Sequence, residues 1–433
     1  MRPTLIDLND VELRIARGAD ELLRSPGYAT YTGQKVEVGD AGFALAWLHP
    51  RASSHRFWQA LDTAPLTTMG KRVRHAGDLA YLHLEHLRER AGRPDRALFI
   101  VPGAYQRAQL SLLLGIAQAA GIAVDALVDS AVAVGATLPP GQYTHVEALL
   151  YRTVVSRLSV DSNRAIRVAR EIVPDVGHVQ LEQRIVGGLV DAFLRGCRFD
   201  PLHEAATEQQ LHVQLAQWLA QLADRPEIAL SMEHHSVRHE ARIRRDTLVA
   251  AVAPLRARLA AVAGSGTVLL DHRLARLPGL ADSWPGATVL PPHAALTGCA
   301  LSPDLQDISG EGVALRTELA VVPAEARLPA APAPRAPSRA ATHLLCQHVA
   351  HALSAVPLHL TTRGLQRAGS DAAIARVTGD ADGVRLEVSP GATVLVNGTA
   401  VRDHAPLHPG DHVTIAGTTT LCVPIVVQDH DAN

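Results

Sequence analysis

The fold is decided by residues 97–122, which read ALFIVPGAYQRAQLSLLLGIAQAAGI. Residues 97–101 form a continuous apolar run that stops at Pro102 and Gly103, and apolar residues at helical spacing then continue to Ala120. A short apolar run bounded by turn residues is typical of a buried strand, whereas a longer periodic segment is typical of a helix. The stretch therefore predicts a strand over 97–101 and a helix over 104–120.

The same alternation continues on both sides of this stretch. Strand-like runs occur at residues 4–8 and 267–270, and helical patterns occur at residues 76–90, 208–222 and 245–263. Strands that alternate with helices in this way predict an α/β core.

A change of composition divides the chain. Residues 323–341 read PAEARLPAAPAPRAPSRAA, where Pro and Ala dominate and apolar periodicity disappears, so we expect a semi-rigid linker. Beyond it, short β-rich pieces are separated by turn signals such as Asn397-Gly398 and Pro409-Gly410, which predict a small all-β sandwich. We therefore expect an α/β domain over residues 1–322, a linker over 323–341 and a β-sandwich over 342–430.

Charge and apolar patterning exclude several classes of partner. The 433 residues include 41 Lys and Arg and 43 Asp and Glu, a formal charge of -2, so no global basic field exists to hold nucleic acid. The most apolar stretch, residues 111–138, contains Asp125 and Asp129, and it therefore fails the requirement for a membrane span. The N-terminus reaches Asp7 without a secretory leader pattern. We expect a cytoplasmic protein.

Cysteine and histidine spacing does not indicate a metal site. The four cysteines form no C-x-x-C pair, which argues against a zinc site and against a disulfide framework. They are Cys197, Cys299, Cys346 and Cys422. The 22 histidines are numerous, and the tightest clusters are His234-His235 and the pair His83 and His86. Because metal sites need several convergent ligands, we interpret these histidines as structural or solvated.

Short segments of the first domain follow one another in a recognisable order. They are VGDA at 38–41, IVPGAY at 100–105, DSAVAVG at 129–135, GGLVD at 187–191, IRR at 243–245, VLLDHRLARLPGL at 268–280 and AALTGCAL at 294–301. Their sequence and order resemble the nucleotide-binding domain of the seventy-kilodalton heat-shock chaperones, within the actin-like superfamily. The resemblance covers roughly residues 1–305 and implies a two-lobed actin-like ATPase fold that holds ATP or ADP with Mg²⁺ between the lobes.

The sequence departs from that family where glycine-rich turns bind phosphate. Only a backbone without Cβ approaches phosphates closely, so glycines are required at such turns. At the first turn, Asp7 is followed by Leu8, Asn9 and Asp10, and an acid at this place repels phosphate. The counterpart of the second turn, around Glu147, contains no glycine between residues 146 and 153.

The adenosine segment and the catalytic lysine also differ from the family. Asp271 and His272 replace a pair of glycines, and their side chains fill space that the base and ribose need. The position of the family's catalytic lysine falls at or beside Trp58, with Arg56 close by. Asp7, Asp129 and Glu147 stand near acidic positions that organise metal and water in the family. Without bound phosphates there is little for Mg²⁺ to bridge. We therefore expect that the domain keeps the actin-like fold, does not hydrolyse ATP and binds no cofactor. Binding of ATP or ADP in an altered pose stays an alternative.

The second domain resembles a forkhead-associated domain. The stretch VLVNGTAV at 394–401, followed by LHPGDHVTIAG at 407–417, is similar to that family's strand and turn motifs. The family reads phosphothreonine with an Arg and a later S-R-x-H. Here Arg363 stands for the first Arg, but Ser370 and Asp371 begin an S-D-A-A segment whose acid repels phosphate.

These departures favour a protein-docking module over a phosphopeptide reader, and an unrelated small β-sandwich stays an alternative. The candidate interaction loops contain Arg363, Ser370, Asp371, Asn397 and Gly398, and protein partners are expected to bind residues 342–427.

Three functions follow from the whole sequence. The first is a non-catalytic scaffold or adaptor that combines a degenerate chaperone-like domain with an interaction module. The second is a chaperone-type ATPase, although about 90 residues after the linker are too few for a peptide-holding domain and a lid. The third is an actin-like component of a bacterial envelope machine or filament. The loss of the pocket glycines favours the scaffold.

Overall fold

A computed structural model gives the fold, and it describes most of the chain. The described residues are 3–66, 69–70, 73–264, 266–284, 286–306, 313–323, 325, 342–346, 349–353, 356–361, 364–366, 373–380, 383–396, 399–407, 411, 413–415 and 421–425. Contacts divide the chain into two compact units, Met1–Ala331 and Pro332–Asn433. The division falls inside the segment expected to be the linker.

The first half of unit one alternates strands and helices. In chain order its elements are β1 Thr4–Asp7, β2 Leu13–Arg17, β3 Asp20–Ser25, β4 Ala29–Tyr31, β5 Val36–Val38, α1 Asp40–Phe43, β6 Ser53–Ser54, α2 Phe57–Ala60, α3 Ala76–Arg90, β7 Arg96–Val101, α4 Arg107–Ala119, β8 Ala123–Asp129 and α5 Ser130–Gly135. A short 3₁₀ helix lies at Pro50–Ala52. The expected strand at 97–101 and helix at 76–90 are therefore present.

The second half continues the alternation. Its elements are β9 Gly141–Ala148, β10 Arg152–Val160, β11 Arg164–Pro174, α6 His178–Cys197, α7 Ala205–Asp224, β12 Glu227–His234, β13 Val237–Arg244, α8 Arg245–Ala263, β14 Val268–Leu270, α9 His272–Ala275, β15 Thr288–Val289, α10 Ala294–Leu301, β16 Leu315–Arg316 and β17 Glu318–Ala320. Further 3₁₀ helices lie at Ala281–Ser283 and Pro303–Leu305. The expectation of an α/β core is confirmed.

Two sheets of unit one share a five-strand arrangement and differ in where the sixth strand, β16 or β17, is added. The first has the order β16-β8-β7-β1-β2-β3, in which β1, β2 and β3 are antiparallel while β7 and β8 run parallel to β1. The second has the order β15-β14-β9-β10-β11-β17, in which β9, β10 and β11 are antiparallel while β14 and β15 run parallel to β9. Each of the two sheets thus contains three antiparallel strands followed at one side by two strands that run parallel to the first of them.

A shared core lies between these sheets. One buried cluster contains Leu5 and Ile100 from the first sheet and Leu158 and Leu269 from the second, together with residues of α5 and α10. The two helices approach closely, because a Cβ at Gly298 of α10 would overlap the backbone of α5. The end of β1 in the first sheet consequently lies opposite the ends of the neighbouring strands β9 and β14 in the second.

Unit two is β-rich. Its elements are β18 His343–Cys346, β19 Val349–Ala352, β20 Leu358–Thr361, β21 Gly364–Gln366, β22 Ala375–Asp380, β23 Gly383–Val388, β24 Val394–Val396, β25 Thr399–Val401, β26 His404–Leu407, β27 Val413–Ile415 and β28 Leu421–Ile425. They form sheets of order β19-β18-β28-β27-β24-β25 and β21-β20-β22-β23-β26. One core cluster contains residues of both sheets, so the sheets pack face to face.

Candidate functional site

The acidic residues singled out in the sequence lie at the ends of neighbouring strands. Asp7 ends β1, Glu147 lies near the end of β9, and Asp271 directly follows β14. All three are at least 94 % buried and line one small cavity of about 30 Å³. A cavity of this size holds about one water molecule, whereas pockets for drug-sized ligands occupy roughly 300 Å³ or more. The fold therefore brings these carboxylates together around a space too small for a nucleotide.

A guanidinium group from the chain itself occupies this cluster. Nη1 of Arg273 donates to Oδ2 of Asp271 at 3.0 Å, and Nη2 lies 3.5 Å from Oδ2 of Asp7. Nη2 also donates to the backbone oxygen of Glu12 at 3.0 Å. Arg273 is 5 % exposed, so its charge is compensated by these buried groups and hardly by solvent. The cluster thus contains its own cation.

A second arginine fixes the neighbouring histidine. Arg14, which is 1 % exposed, forms an ion pair with Glu12, and its Nη2 lies 3.0 Å from Nε2 of His272. Because a guanidinium only donates hydrogen bonds, Nε2 of His272 accepts, and the ring proton lies on Nδ1. That Nδ1 lies 3.2 Å from Oδ1 of Asp271. His272 is therefore held between Arg14 and Asp271.

Direct hydrogen bonds join the β1–β2 turn to the end of β9 and to the β9–β10 turn. Nδ2 of Asn9 donates to the backbone oxygen of Ala148 at 2.9 Å and to Oε1 of Glu147 at 3.1 Å. Oδ1 of Asp10 accepts from the backbone N–H of Leu150 at 2.8 Å. These are the turns that the chaperone resemblance equates with phosphate loops. Here they bond to each other and leave no gap at these atoms for a phosphate.

Asp129 lies at the end of β8 and has a capping role. Its Oδ1 accepts from the backbone N–H of Ala131 at 3.0 Å, and its other oxygen forms an ion pair with Arg167. The next residue, Ser130, donates from Oγ to Oε2 of Glu147 at 2.6 Å. Asp129 does not line the small cavity, so the structure separates it from the other predicted acids.

Burial shifts the pKa values of the carboxylates in different directions. Burial, reinforced by Asp271 and Asp7, raises the pKa of Glu147 to about 8, and burial raises the pKa of Asp10 to about 6. Burial also acts on Asp271, but the Arg273 guanidinium and His272 outweigh it and hold the pKa of that carboxyl far below its usual range. At neutral pH the cluster therefore combines a largely neutral Glu147 with an ionised Asp271 paired to Arg273.

The residues near the expected catalytic-lysine position have other partners. Trp58 is 1 % exposed and donates from Nε1 to Nδ1 of His83 at 3.2 Å, so it belongs to the core. Arg56 stacks over the Tyr151 ring at 3.6 Å. Arg56 and Arg152 line an open cleft of about 710 Å³, and none of the predicted pocket acids lines that cleft.

Sequence reasoning missed the basic partners of this site. It identified the acids at the strand ends, but Arg14 and Arg273 were not assigned a role. The available signal was local: Arg273 follows Asp271 by two residues, and Arg14 lies between the apolar residues Leu13 and Ile15. In the second unit, the candidate loop residues Arg363, Ser370, Asp371, Asn397 and Gly398 all lie outside the described residues.

Comparison with known proteins does not assign a family. No protein-family model matches the chain, and no curated protein matches it. Among the described residues, no helix combines the length and apolar character needed to cross a bilayer.

Proposed function

We propose that this chain is a cytoplasmic scaffold or adaptor, in which a degenerate actin-like domain related to the heat-shock chaperones is followed by a protein-interaction module. The observation that carries the proposal is the guanidinium of Arg273, which lies between Asp7 and Asp271 where the resemblance expects metal and phosphate. A site that is filled by its own cation has no need of Mg²⁺.

The topology of unit one supports an actin-like assignment. Its two main sheets share the order and direction of five strands, and α5 and α10 pack between them. A duplicated α/β unit with a cleft at the carboxyl ends of its strands is an arrangement in which nucleotides are commonly bound. The proposed domain therefore keeps the architecture of a nucleotide-binding protein.

The contacts inside the cleft support the proposal that the domain does not hydrolyse ATP. The hydrogen bonds of Asn9 and Asp10 to the β9–β10 turn occupy backbone and side-chain groups that phosphate oxygens would otherwise contact. Asp271 caps α9 through the backbone N–H of Arg273 at 2.7 Å, so its side chain has a structural task. These contacts favour a first domain whose cleft stays closed and which is not catalytic. The face-to-face β-sheets of unit two support a docking module as the partner-binding part.

The test is titration of the full chain with Mg-ATP and Mg-ADP by calorimetry, accompanied by thermal unfolding. A ligand at 100 times its Kd stabilises the folded state by about 2.7 kcal/mol, so binding produces a clear shift in Tm. We expect no heat and no shift. A double variant, Asp271→Gly with His272→Gly, is expected to gain no ATP turnover, because Arg273 and the joined turns still block the cleft.

Binding with turnover by the unaltered chain would overturn the scaffold and support a chaperone-type ATPase. Binding without turnover would indicate nucleotide held in another pose, and the variant Arg56→Ala distinguishes the two sites. Arg56 lines the open cleft and does not contact the Arg273 cluster, so its removal weakens binding in the open cleft alone.

A further inference from the structure

A second polar cluster, which shares no residue with the acidic cleft, lies where the β12–β13 hairpin meets the start of α7. Glu204 precedes α7, while His234 ends β12 and His235 begins the hairpin turn. The ligand atoms of these three side chains, one from each, all lie within 4.8 Å of one another. Two imidazoles and a carboxylate form a ligand set that zinc binds in proteins.

The distances in this cluster match those around a tetrahedral ion. Nε2 of His234 lies 3.1 Å from Oε2 of Glu204, and Nε2 of His235 lies 3.7 Å from Oε1 of the same carboxylate. Zinc bonds of about 2.0–2.1 Å at tetrahedral angles place neighbouring ligand atoms about 3.3 Å apart. The two imidazole–carboxylate separations lie on either side of that value, and the two imidazole ligand nitrogens lie within 4.8 Å of each other, so side-chain rotations can close the cluster on an ion.

The backbone of the turn is what brings both imidazoles to one side. Successive residues of a strand point to opposite faces, so His234 and His235 would diverge in a regular strand. Instead His235 and Ser236 have φ values of 50° and 64°, and they form a two-residue hairpin loop between paired His234 and Val237. This left-handed turn places the two imidazole centroids 4.0 Å apart.

His234 is oriented by packing, and its Nε2 lies beside the Glu204 carboxylate. Its ring packs against Phe199 at 5.7 Å, on the same face of the hairpin as the buried Leu230 and Met232. Its Nε2 is screened from solvent and, despite its proximity to Glu204, makes no hydrogen bond to the described residues. Within the described chain, the Glu204 carboxylate does not cap α7, although it stands at the N-cap position. Both groups are thus available to a cation.

We propose that Glu204, His234 and His235 bind Zn²⁺ and so fasten the β12–β13 hairpin to the start of α7. Imidazole nitrogen favours zinc, whereas Mg²⁺ favours oxygen ligands, so the site discriminates between these ions. Three protein ligands leave a fourth position for water or for a donor from another molecule. His239 lies outside the set, because its ring stacks on Phe199 at 4.0 Å and its centroid is 6.3 Å from that of His234.

The test is titration of the metal-free full chain with Zn²⁺ by calorimetry, in the presence of a non-thiol reductant that keeps the cysteines reduced. We expect one saturable site, a Zn²⁺-dependent rise in Tm, and no comparable response to Mg²⁺. Each of Glu204→Gln, His234→Asn and His235→Asn should weaken Zn²⁺ binding roughly tenfold or more. The most informative is His235→Asn, because Asn tolerates the left-handed backbone and so preserves the turn.

The matched control is His203→Asn, which removes an exposed imidazole beside Glu204 in the sequence but outside the cluster. Its Zn²⁺ affinity should equal that of the unaltered chain. Thermal unfolding of each metal-free variant checks that the fold is retained. The proposal is overturned if the unaltered chain shows no saturable Zn²⁺ site, or if its affinity persists in His234→Asn and His235→Asn, since the 22 histidines would then supply zinc binding elsewhere.

Discussion

Replacing Arg273 by Met tests whether its guanidinium is the cation of the acidic cleft. The change keeps a long apolar stem but removes the groups within 3.0 Å of Asp271 and 3.5 Å of Asp7. Both carboxylates are buried, with 4 % and 6 % exposure, so solvent does not compensate the lost charge. Leaving a buried charge without its partner costs about 3–5 kcal/mol, and we expect a loss of unfolding free energy of this size.

Urea unfolding followed by tryptophan fluorescence measures this loss in unit one alone. The four tryptophans, Trp47, Trp58, Trp218 and Trp284, all belong to residues 1–331. Unfolding of the second unit is therefore not recorded by this signal. The free energy is obtained from the midpoint and the slope, provided that the slope is the same in the variant and in the unaltered chain.

The matched control is Arg195→Met, the same chemical change on the surface of α6. Arg195 lies 3.3 Å from Asp191, but the two side chains are 73 % and 63 % exposed. Exposed ion pairs contribute about 0–1 kcal/mol, so this variant should be nearly neutral. If Arg273→Met costs no more than Arg195→Met, the guanidinium does not compensate the buried acids and the argument for a self-filled site fails.

The effect of Mg²⁺ on Tm is a second test of whether the Arg273 guanidinium occupies the place of a metal ion. With the guanidinium removed, Asp7 and Asp271 present oxygen ligands of the kind that Mg²⁺ prefers. Millimolar Mg²⁺ should therefore raise the Tm of Arg273→Met and leave that of the unaltered chain unchanged. An equal response of both proteins would show that the guanidinium does not occupy the place of a metal ion.

Three further variants test the charges and the packing of unit one. Burial raises the pKa of Glu147 from 4.5 to about 8, so the folded state retains a proton that the unfolded state loses, and stability falls as pH rises between these values. Glu147→Gln should remove this pH dependence. The unfolding free energy of the variant, relative to that of the unaltered chain, should therefore grow by about 1.4 kcal/mol per pH unit in that window. Parallel pH profiles of the two proteins would contradict the prediction. Gly298→Ala should destabilise unit one by roughly 3 kcal/mol, because the new Cβ overlaps the carbonyl of Ala133. Gly115→Ala, at an open position of α4, should stabilise it by up to about 1 kcal/mol, and urea unfolding compares the two.

Local sequence patterns predicted the elements of unit one well. The helices expected at 76–90 and 245–263 have those bounds in α3 and α8, because their apolar periodicity and end signals are contained within each segment. The helix expected over 104–120 begins later, at Arg107, with Gln106 at the N-cap position, where its backbone N–H donates to Oε1 of Gln109 at 3.1 Å. Acids at the ends of β1 and β9 were also identified, because a strand end can be recognised from the residues around it.

The partners of those acids could not be predicted in the same way. Arg273 contacts Asp7 and Glu12, and Arg14 contacts His272, across about 260 residues of chain. No periodic pattern encodes contacts at that separation. Arg14 was also inconspicuous because a charged residue in a short strand ordinarily faces solvent, whereas here ion pairs with Glu12 and Glu21 allow it to be buried.

The contacts across the cleft contribute to the free energy needed to open it. Opening would break the hydrogen bonds of Asn9 and Asp10 to the β9–β10 turn and would separate Arg273 from Asp7. Each hydrogen bond contributes about 1 kcal/mol, and an ion pair whose two partners both become hydrated contributes little in net terms, so these losses total roughly 3 kcal/mol. An open state would then be populated about once in 10² molecules, and a ligand that needs it would bind about 10²-fold more weakly. This cost favours the proposed docking role over a cycle of nucleotide-driven opening and closing.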